Sequence, residues 1–245
     1  MTLRLLTYNI RRGGTGREGP IGDVIGANEP DVVIVQEATA PAVIEKVAVR
    51  AGMEWASTPG ESLGFMSRQP VPHRAWHHPR FSRHAFLEVV LGSGMRIFGV
   101  HLSAVHSAWT ERRRGVELRA LLASIARHQA GFHVLAGDFN TLAPGDELDP
   151  RKLPHRLRTL VWLSGGRVRW RTIQAVLDAG YVDSYRARHP GDPGFTFPTW
   201  DPHVRLDYVF LPVPFVERLG PVRIVTEPPA QDASDHLPLL AEVDG

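Results

Sequence analysis

The chain has 245 residues, of which 43% are hydrophobic, and this length can bury one large core. Its formal net charge is +2 and it contains no cysteine, which excludes disulfides and thiolate metal sites and leaves oxygen and nitrogen as metal ligands. No repeat or low-complexity tract divides the sequence, and no apolar stretch is long enough to span a bilayer. We therefore expect a single domain over residues 1–245, in a cytoplasmic monomer without a membrane span.

Short apolar runs that end in polar residues predict strands along the whole chain. They cover residues 3–10, 32–36, 86–91, 95–102, 132–136, 207–211 and 239–243. Segments with helical spacing lie between several of them, at residues 40–51, 110–128 and 172–179. Only Gly92-Ser93-Gly94 separates the third run from the fourth, which predicts a hairpin and antiparallel pairing. The pattern indicates an α/β fold whose sheets are not purely parallel.

The ends of these predicted strands carry groups that bind metals or transfer protons. The residues are Asn9, Glu37, His101, Asp138, Asn140, Asp207, Asp235 and His236. A single Asp or Asn after a strand is usually a turn former, but side chains at strand ends can converge in a cleft. The repeated placement therefore predicts a site.

The donor types in this set favour phosphate chemistry. Carboxylates, carboxamides and histidines without thiols suit Mg²⁺ or Mn²⁺. Ser234-Asp235-His236 lacks the G-x-S-x-G turn of many acyl-transfer enzymes, and the chain has no G-x-x-x-x-G-K-[ST] nucleotide loop. A phosphate ester is therefore the expected substrate.

Six short segments occur in a fixed order along almost the whole chain. They are Leu6-Thr7-Tyr8-Asn9-Ile10, Val35-Gln36-Glu37, Gly99-Val100-His101-Leu102, Gly137-Asp138-Phe139-Asn140, Arg205-Leu206-Asp207-Tyr208-Val209 and Ser234-Asp235-His236. In this order they resemble the signature blocks of the endonuclease/exonuclease/phosphatase superfamily. The resemblance implies a deoxyribonuclease-like α/β fold, a four-layer sandwich of two packed mixed β-sheets flanked by helices. It also implies a metal-dependent hydrolase of phosphoester bonds.

The resemblance assigns the metal side of the site to three residues. Glu37 resembles the principal metal-binding carboxylate of the family, Asn9 lies beside it, and Asp235 lies near the same ion or a second one. Mg²⁺ or Mn²⁺ is the implied cofactor.

The catalytic side is also assigned by resemblance. Asp138 and Asn140 resemble the pair that orients the attacking water and holds a phosphate oxygen. His236, paired with Asp207, and His101 resemble the two histidines that face the scissile phosphate. An aspartate raises the basicity of its histidine and fixes the tautomer. The general base stays open between Asp138 and His236.

Two further segments carry weaker expectations. Glu61 stands seven residues before Arg68, a spacing that resembles the deoxyribonuclease region in which a glutamate orients the histidine matching His101. An acid on a surface loop is the alternative. The histidine-rich residues 72–78 are expected to form an exposed loop rather than an accessory zinc site.

Arginines suggest which phosphate ester is bound. Arg11 and Arg83 resemble phosphate-contacting arginines of deoxyribonucleases. The basic residues 151–171 include Trp162 and Trp170 and suit an arginine-lined groove for nucleic acid, although a solvated face with packed tryptophans is the alternative.

The leading hypothesis is a phosphodiesterase or nuclease that cleaves DNA or RNA by in-line attack of water. Arg11 departs from the acidic residue of abasic-site endonucleases, which disfavours that subgroup. A phosphatase or phosphodiesterase acting on small-molecule, sugar or lipid phosphates is the second hypothesis. A noncatalytic nucleic-acid binder is the third.

Overall fold

The computed structural model describes residues 2–80, 84–103, 108–128, 131–146, 149–152 and 171–245. Arg83, Trp162, Trp170 and most of the basic residues 151–171 lie outside the described residues. The strands are β1 (Thr2–Asn9), β2 (Val32–Gln36), β3 (Trp55–Ser57), β4 (Leu63–Ser67), β5 (His73–His77), β6 (Phe86–Val90), β7 (Arg96–His101), β8 (His133–Asp138), β9 (Tyr181–Asp183), β10 (Asp207–Pro212), β11 (Leu219–Ile224) and β12 (Leu239–Asp244). The helices are α1 (Glu18–Asn28), α2 (Pro41–Ala51), α3 (Ala108–His128), α4 (Arg171–Asp178), α5 (Ser184–Arg188) and α6 (Ala230–Ala233).

The strands form two six-stranded mixed sheets. The first has the order β11-β12-β1-β2-β4-β3, and the second has the order β5-β6-β7-β8-β10-β9. Each sheet contains one parallel pair, β1 with β2 and β7 with β8, and its other pairs are antiparallel. The expected hairpin is present, with Val90 of β6 opposite Arg96 of β7.

Three apolar layers hold the elements together. Between the sheets, side chains such as Ile34 and Leu87 form one core because alternate residues of each strand face inward. A second core, which includes Val47, joins α1 and α2 to the outer face of the first sheet. A third, which includes Leu118 and Ile173, joins α3 and α4 to the outer face of the second. The predicted four-layer sandwich is confirmed.

Because of the strand directions, several strand ends from both sheets lie at the same end of the sandwich. The parallel strands β1, β2, β7 and β8 end there, while the antiparallel strands β10 and β12 begin there. Asp138 at the end of β8 has His101 of β7 as its partner on one side and Asp207 of β10 on the other. We call this end the site edge, because the polar strand-end residues gather at it.

Residues 73–77 differ from expectation, since they form the edge strand β5 rather than a loop. His77 Nε2 lies 2.6 Å from Oε2 of Glu88 on β6, and its ring stacks on Phe86 with 4.7 Å between centroids. The pairing of β5 with β6 and this hydrogen bond hold the His77 ring in place.

In the part of the chain that the structure describes, no helix is both long enough and apolar enough to cross a membrane.

Gly137 is required by the close approach of β7 and β8. Its φ is 153°, and a Cβ at this position would lie 1.9 Å from the Val100 carbonyl oxygen, a backbone atom that cannot move aside. We expect Gly137→Ala to lower the free energy of unfolding by about 3 kcal/mol or more, because both strain and overlap must be relieved. Urea denaturation measures this change.

The matched control is Gly191→Ala, because a Cβ on Gly191 meets no atom within 4 Å. This variant should stay within about 0.5 kcal/mol of the parent protein. Equal stabilities for the two variants would contradict the role given to Gly137.

Candidate active site

Asp138 lies at the centre of the site edge and is 1% exposed. Its Oδ1 accepts a hydrogen bond from the backbone N–H of Asn140 at 2.8 Å, and its Oδ2 accepts one from Nδ2 of Asn9 at 3.0 Å. The second bond joins the two sheets. Burial raises the pKa of the Asp138 carboxyl well above the usual carboxyl range, because the charged form loses solvation.

His236 lies in the loop before β12 of the first sheet, where it approaches Asp138 and pairs with Asp207 of the second sheet. Its Nδ1 lies 2.9 Å from Oδ2 of Asp207, and its Nε2 lies 3.9 Å from Oδ2 of Asp138. Burial alone would lower the pKa of His236, but the carboxylates of Asp207 and Asp138 outweigh it and raise the pKa to about 9. His236 is therefore an imidazolium at neutral pH, and its Nε2–H lies on the side of the ring that faces Asp138.

His101 approaches the same carboxylate oxygen from the end of β7. Its Nε2 lies 3.8 Å from Oδ2 of Asp138. Burial lowers the pKa of His101 to about 4, even though the charge of Glu37 acts in the opposite direction. One neutral imidazole and one charged imidazole thus flank one buried carboxylate, and such divergent protonation is typical of acid–base sites.

Ser62 contacts the other side of the His101 ring, and no motif in the sequence pointed to it. Its Oγ lies 2.5 Å from Nδ1 of His101. Glu61, for which the sequence left open either this position or an exposed loop, has a half-exposed side chain, and its Oε2 lies 3.9 Å from Nε2 of His78. Nδ1 of His101 therefore contacts the serine hydroxyl, and Glu61 lies against His78 instead.

Glu37 and Asp235 are connected to Asn9 through the two arginines that follow in the chain, Arg11 and Arg12. Glu37 follows β2 with a φ of 56°, and its Oε2 accepts a hydrogen bond from the backbone N–H of Arg12 at 2.5 Å. Oδ1 of Asn9 accepts the backbone N–H of Arg11 at 2.9 Å, and Nε of Arg11 lies 3.2 Å from Oδ2 of Asp235. The Arg11 side chain is 42% exposed, so it lies at the mouth of the site.

The donor set fits a hard divalent cation. Several carboxylates lie at this end of the sandwich, namely Glu37, Asp138, Asp207 and Asp235, and oxygen is the ligand that Mg²⁺ and Mn²⁺ prefer. Donor atoms of Asp138, Asp207 and His236 lie within 4.8 Å of one another, but the protonated His236 has no lone pair for a cation, which leaves the carboxylate oxygens as ligands. Among the described residues, the buried Oδ1 of Asp207 has no hydrogen-bond partner, so one more donor or cation can be accommodated there.

The structure thus connects most of the predicted site residues. Asn9, His101, Asp138, Asp207 and His236 are linked by the contacts given above, with Glu37 and Asp235 beside them. Asn140 has a φ of 52° and donates from Nδ2 to the Leu102 carbonyl at 2.9 Å, which ties the loop after β8 to β7. Arg83 cannot be placed because it is outside the described residues.

Arg205 is a buried positioning residue that the motif contains but that we did not assign. It is 1% exposed, and its guanidinium contacts Asp183 at 2.6 Å and Asp146 at 3.2 Å and lies over the ring of Tyr208 at 4.6 Å. Such a network is costly to break once buried. It fixes the chain two residues before Asp207 and so fixes the partner of His236.

Comparisons with known proteins agree with this geometry. A sequence profile described as the Endonuclease/Exonuclease/phosphatase family matches residues 6–236. No curated protein matches the chain.

Solved structures share the fold. An AP endonuclease from Archaeoglobus fulgidus superposes with a TM-score of 0.76 at 19% identity, over 99% of this chain and 100% of that chain. The 3' phosphatase NExo from Neisseria, bound to a product DNA hairpin, gives 0.74 at 21% identity over 99% and 100%. An endonuclease/exonuclease/phosphatase from Beutenbergia cavernae gives 0.70 at 22% identity, covering 99% of this chain and 71% of that chain.

At these identities the structural likeness establishes the fold alone, whereas the profile match spans the strand ends that carry the site, from Asn9 to His236. The chain belongs to the endonuclease/exonuclease/phosphatase family.

Proposed function

We propose that the protein is a divalent-metal-dependent phosphodiesterase that hydrolyses DNA or RNA by in-line attack of water. The observation that carries this proposal is the buried Asp138 carboxylate between the charged His236 and the neutral His101. A phosphate bound beside these groups would have a proton acceptor, Asp138, and a positive charge, His236, on the same side. Phosphoryl transfer to water uses both.

The protonation states support Asp138 as the general base. His236 already carries its proton at neutral pH and cannot accept another, whereas the raised pKa of Asp138 makes its carboxylate a stronger base than an exposed one. In the proposed step, Asp138 takes a proton from water, the water oxygen bonds to phosphorus, and the leaving oxygen departs with the electron pair of the broken bond. His236 donates from Nε2 to a phosphoryl oxygen, and Asp207 stabilises the imidazolium.

Glu37, Asn9 and Asp235 are the residues that we propose to hold Mg²⁺ or Mn²⁺. When bound, the ion neutralises charge that grows on the phosphoryl oxygens. Glu37 and Asp235 supply carboxylates, and the Asn9 amide links this side of the site to Asp138 through its Nδ2.

Nucleic acid is supported as substrate by the named activities of two structural neighbours. One is an AP endonuclease, and the other is a 3' phosphatase bound to a DNA hairpin. Arg11 at the mouth of the site offers a guanidinium that can contact a phosphate. A phosphatase for small phosphates is the alternative, and the assay below separates the two.

The test compares plasmid DNA, RNA, bis-p-nitrophenyl phosphate and p-nitrophenyl phosphate in the presence of Mg²⁺, Mn²⁺ or EDTA. We expect hydrolysis of nucleic acid and of the diester with either metal, and loss of at least about 100-fold of the rate in EDTA. Hydrolysis of the monoester alone would reject the diesterase, and an undiminished rate in EDTA would reject the metal.

A substitution separates the metal site from the rest of the fold. We expect Glu37→Gln to raise the Mg²⁺ concentration needed for half-maximal activity by at least about tenfold, because one charged ligand is lost. Glu45→Gln is the matched control, since Glu45 is an exposed residue of α2. An equal metal dependence in both variants contradicts the assignment of Glu37.

A further inference from the structure

Trp200 is a large apolar side chain that folding leaves 69% exposed. It lies in the loop of residues 196–203, just before the block that contains Asp207. Exposed tryptophans are costly in water, and they are frequent where a flat ligand stacks on the protein.

The loop that carries Trp200 is bonded directly to the catalytic segment. The backbone N–H of Thr199 donates to the Asp235 carbonyl at 3.0 Å, and the Thr199 hydroxyl donates to the Ser234 carbonyl at 3.0 Å. The two arms of the loop are also joined, because the N–H of Phe197 donates to the Val204 carbonyl at 3.0 Å and the N–H of Val204 donates to the Phe197 carbonyl at 3.1 Å. Trp200 is therefore held at a fixed position relative to the site rather than on an unattached loop.

A series of aromatic rings connects the catalytic histidine to the surface. The Phe197 ring lies 4.8 Å from the His236 ring between centroids, and the Trp200 ring lies 6.4 Å from the Phe197 ring. Phe197 is half-buried, whereas Trp200 is exposed, so the series runs from the buried histidine to the protein surface.

Two partly exposed cationic side chains are bonded to neighbours of this surface. Nζ of Lys152 contacts Oδ1 of Asp201, the neighbour of Trp200, at 2.8 Å, and the Lys152 side chain is 41% exposed. Nε of Arg11 lies 3.2 Å from Oδ2 of Asp235, the neighbour of His236, and the Arg11 side chain is 42% exposed. An exposed aromatic ring with cations nearby is the arrangement that binds single-stranded nucleic acid, because bases stack on the ring while phosphates contact positive charge.

We infer that Trp200 is the stacking surface for a nucleobase next to the scissile phosphate, which makes unpaired nucleotides the preferred substrate of the site. The inference rests on the proposed function and deepens it. Trp200 is a specificity-determining residue here, since it contacts the base and not the reacting atoms.

The test uses the Asp138→Asn background, so that bound substrate is not cut, and two fluorescein-labelled probes of equal length and charge. One probe is oligothymidylate, and the other is the same backbone with tetrahydrofuran units in place of nucleosides. Fluorescence anisotropy with Mg²⁺ gives the Kd of each. We expect Trp200→Ala to weaken oligothymidylate binding by about 5- to 100-fold and to weaken base-free binding far less.

Two further variants complete the design. Trp200→Phe should recover part of the lost affinity, because a smaller ring still stacks. Trp55→Ala, a change of another exposed tryptophan on β3, should leave both affinities as they are. An equal loss for both probes, or no loss for either, overturns the inference.

The outcome also separates the inference from the proposed function. If the unmodified protein cuts oligothymidylate and Trp200→Ala leaves its KM unchanged, the inference alone fails. If the unmodified protein cuts bis-p-nitrophenyl phosphate but neither binds nor cuts the oligonucleotide, the nucleic-acid substrate fails and the inference fails with it.

Discussion

Asp138→Asn is expected to lower kcat at neutral pH by about 10³-fold, because the amide keeps the shape of the carboxylate and cannot accept a proton from water. Oδ1 can still accept the Asn140 N–H, so the loop after β8 should keep its conformation. A single-turnover assay with a labelled oligonucleotide measures the chemical step without product release. Asp23→Asn is the matched control, because Asp23 is an exposed residue of α1 that pairs with Arg50.

Stability gives a second measurement on the same variant. The folded-state pKa of Asp138 is raised above its unfolded value, so ionising this residue destabilises the folded protein as pH rises through the folded-state pKa. Asp138→Asn removes this ionisation and places its Nδ2 against the Nδ2 of Asn9, so its absolute stability can be lower. Without metal, its unfolding free energy should nevertheless fall less than that of the parent protein as pH rises through this range. The same pH dependence of stability in both proteins would contradict the raised pKa of Asp138, and a variant that keeps more than about a tenth of kcat would exclude Asp138 as the base.

Asp207→Asn is expected to lower kcat at neutral pH by about 10²- to 10³-fold and to change the shape of the pH profile. In the parent protein, activity should fall as pH rises through about 9, where His236 loses its proton. Without the Asp207 charge, burial dominates and the pKa of His236 falls, so the alkaline limb should move toward neutral pH. Profiles of kcat against pH for the two proteins measure this shift.

The same pKa has a consequence for folding. Because the folded-state pKa of His236 is raised from 6.5 to about 9, its protonation contributes stability that is complete below 6.5 and lost as pH rises through 9. The contribution is about 3 kcal/mol. In EDTA, the difference in unfolding free energy between the parent protein and His236→Gln should shrink over this range, whereas His73→Gln, at an exposed histidine of β5, should show no such change.

The kcat profile of Asp207→Asn has its own contrary outcome. If its alkaline limb lies at the same pH as that of the parent protein, the proposed pairing of His236 with Asp207 is contradicted.

The candidate site could be predicted because its residues occupy the ends of strands with strong apolar patterns. The structure buries residues 32–36 and 133–136 throughout, so the boundary of each apolar run with a polar residue was visible in the sequence. The hairpin of β6 and β7 was also visible, since a short glycine-containing turn fixes it locally.

Other features depend on contacts between distant residues and left no local signal. The segment Glu18–Asn28 includes three glycines and a proline, which disfavour a helix, yet it forms α1 because Ile21, Val24 and Ile25 pack into the core outside the first sheet. Residues 73–77 become a strand through pairing with β6. Ser62 meets His101 only because β4 and β7 lie in facing sheets, and no spacing along the chain encodes that distance.

The hydrogen bond between Asn9 and Asp138 joins the two sheets, and the proposed catalytic pair is divided in a similar way, since His236 lies in the loop before β12 of the first sheet and Asp207 lies on β10 of the second. The separation of the sheets therefore sets the catalytic distances. Gly99 of β7 packs against Ile34 of β2 so closely that a Cβ on Gly99 would lie 2.8 Å from Cγ2 of Ile34. A side chain at position 99 would push the sheets apart. The donors and acceptors that meet across the sheets, such as Asn9 and Asp138, would then lie too far apart, although none of these residues had been changed. The rate of the proposed reaction should therefore also depend on how closely the two sheets pack.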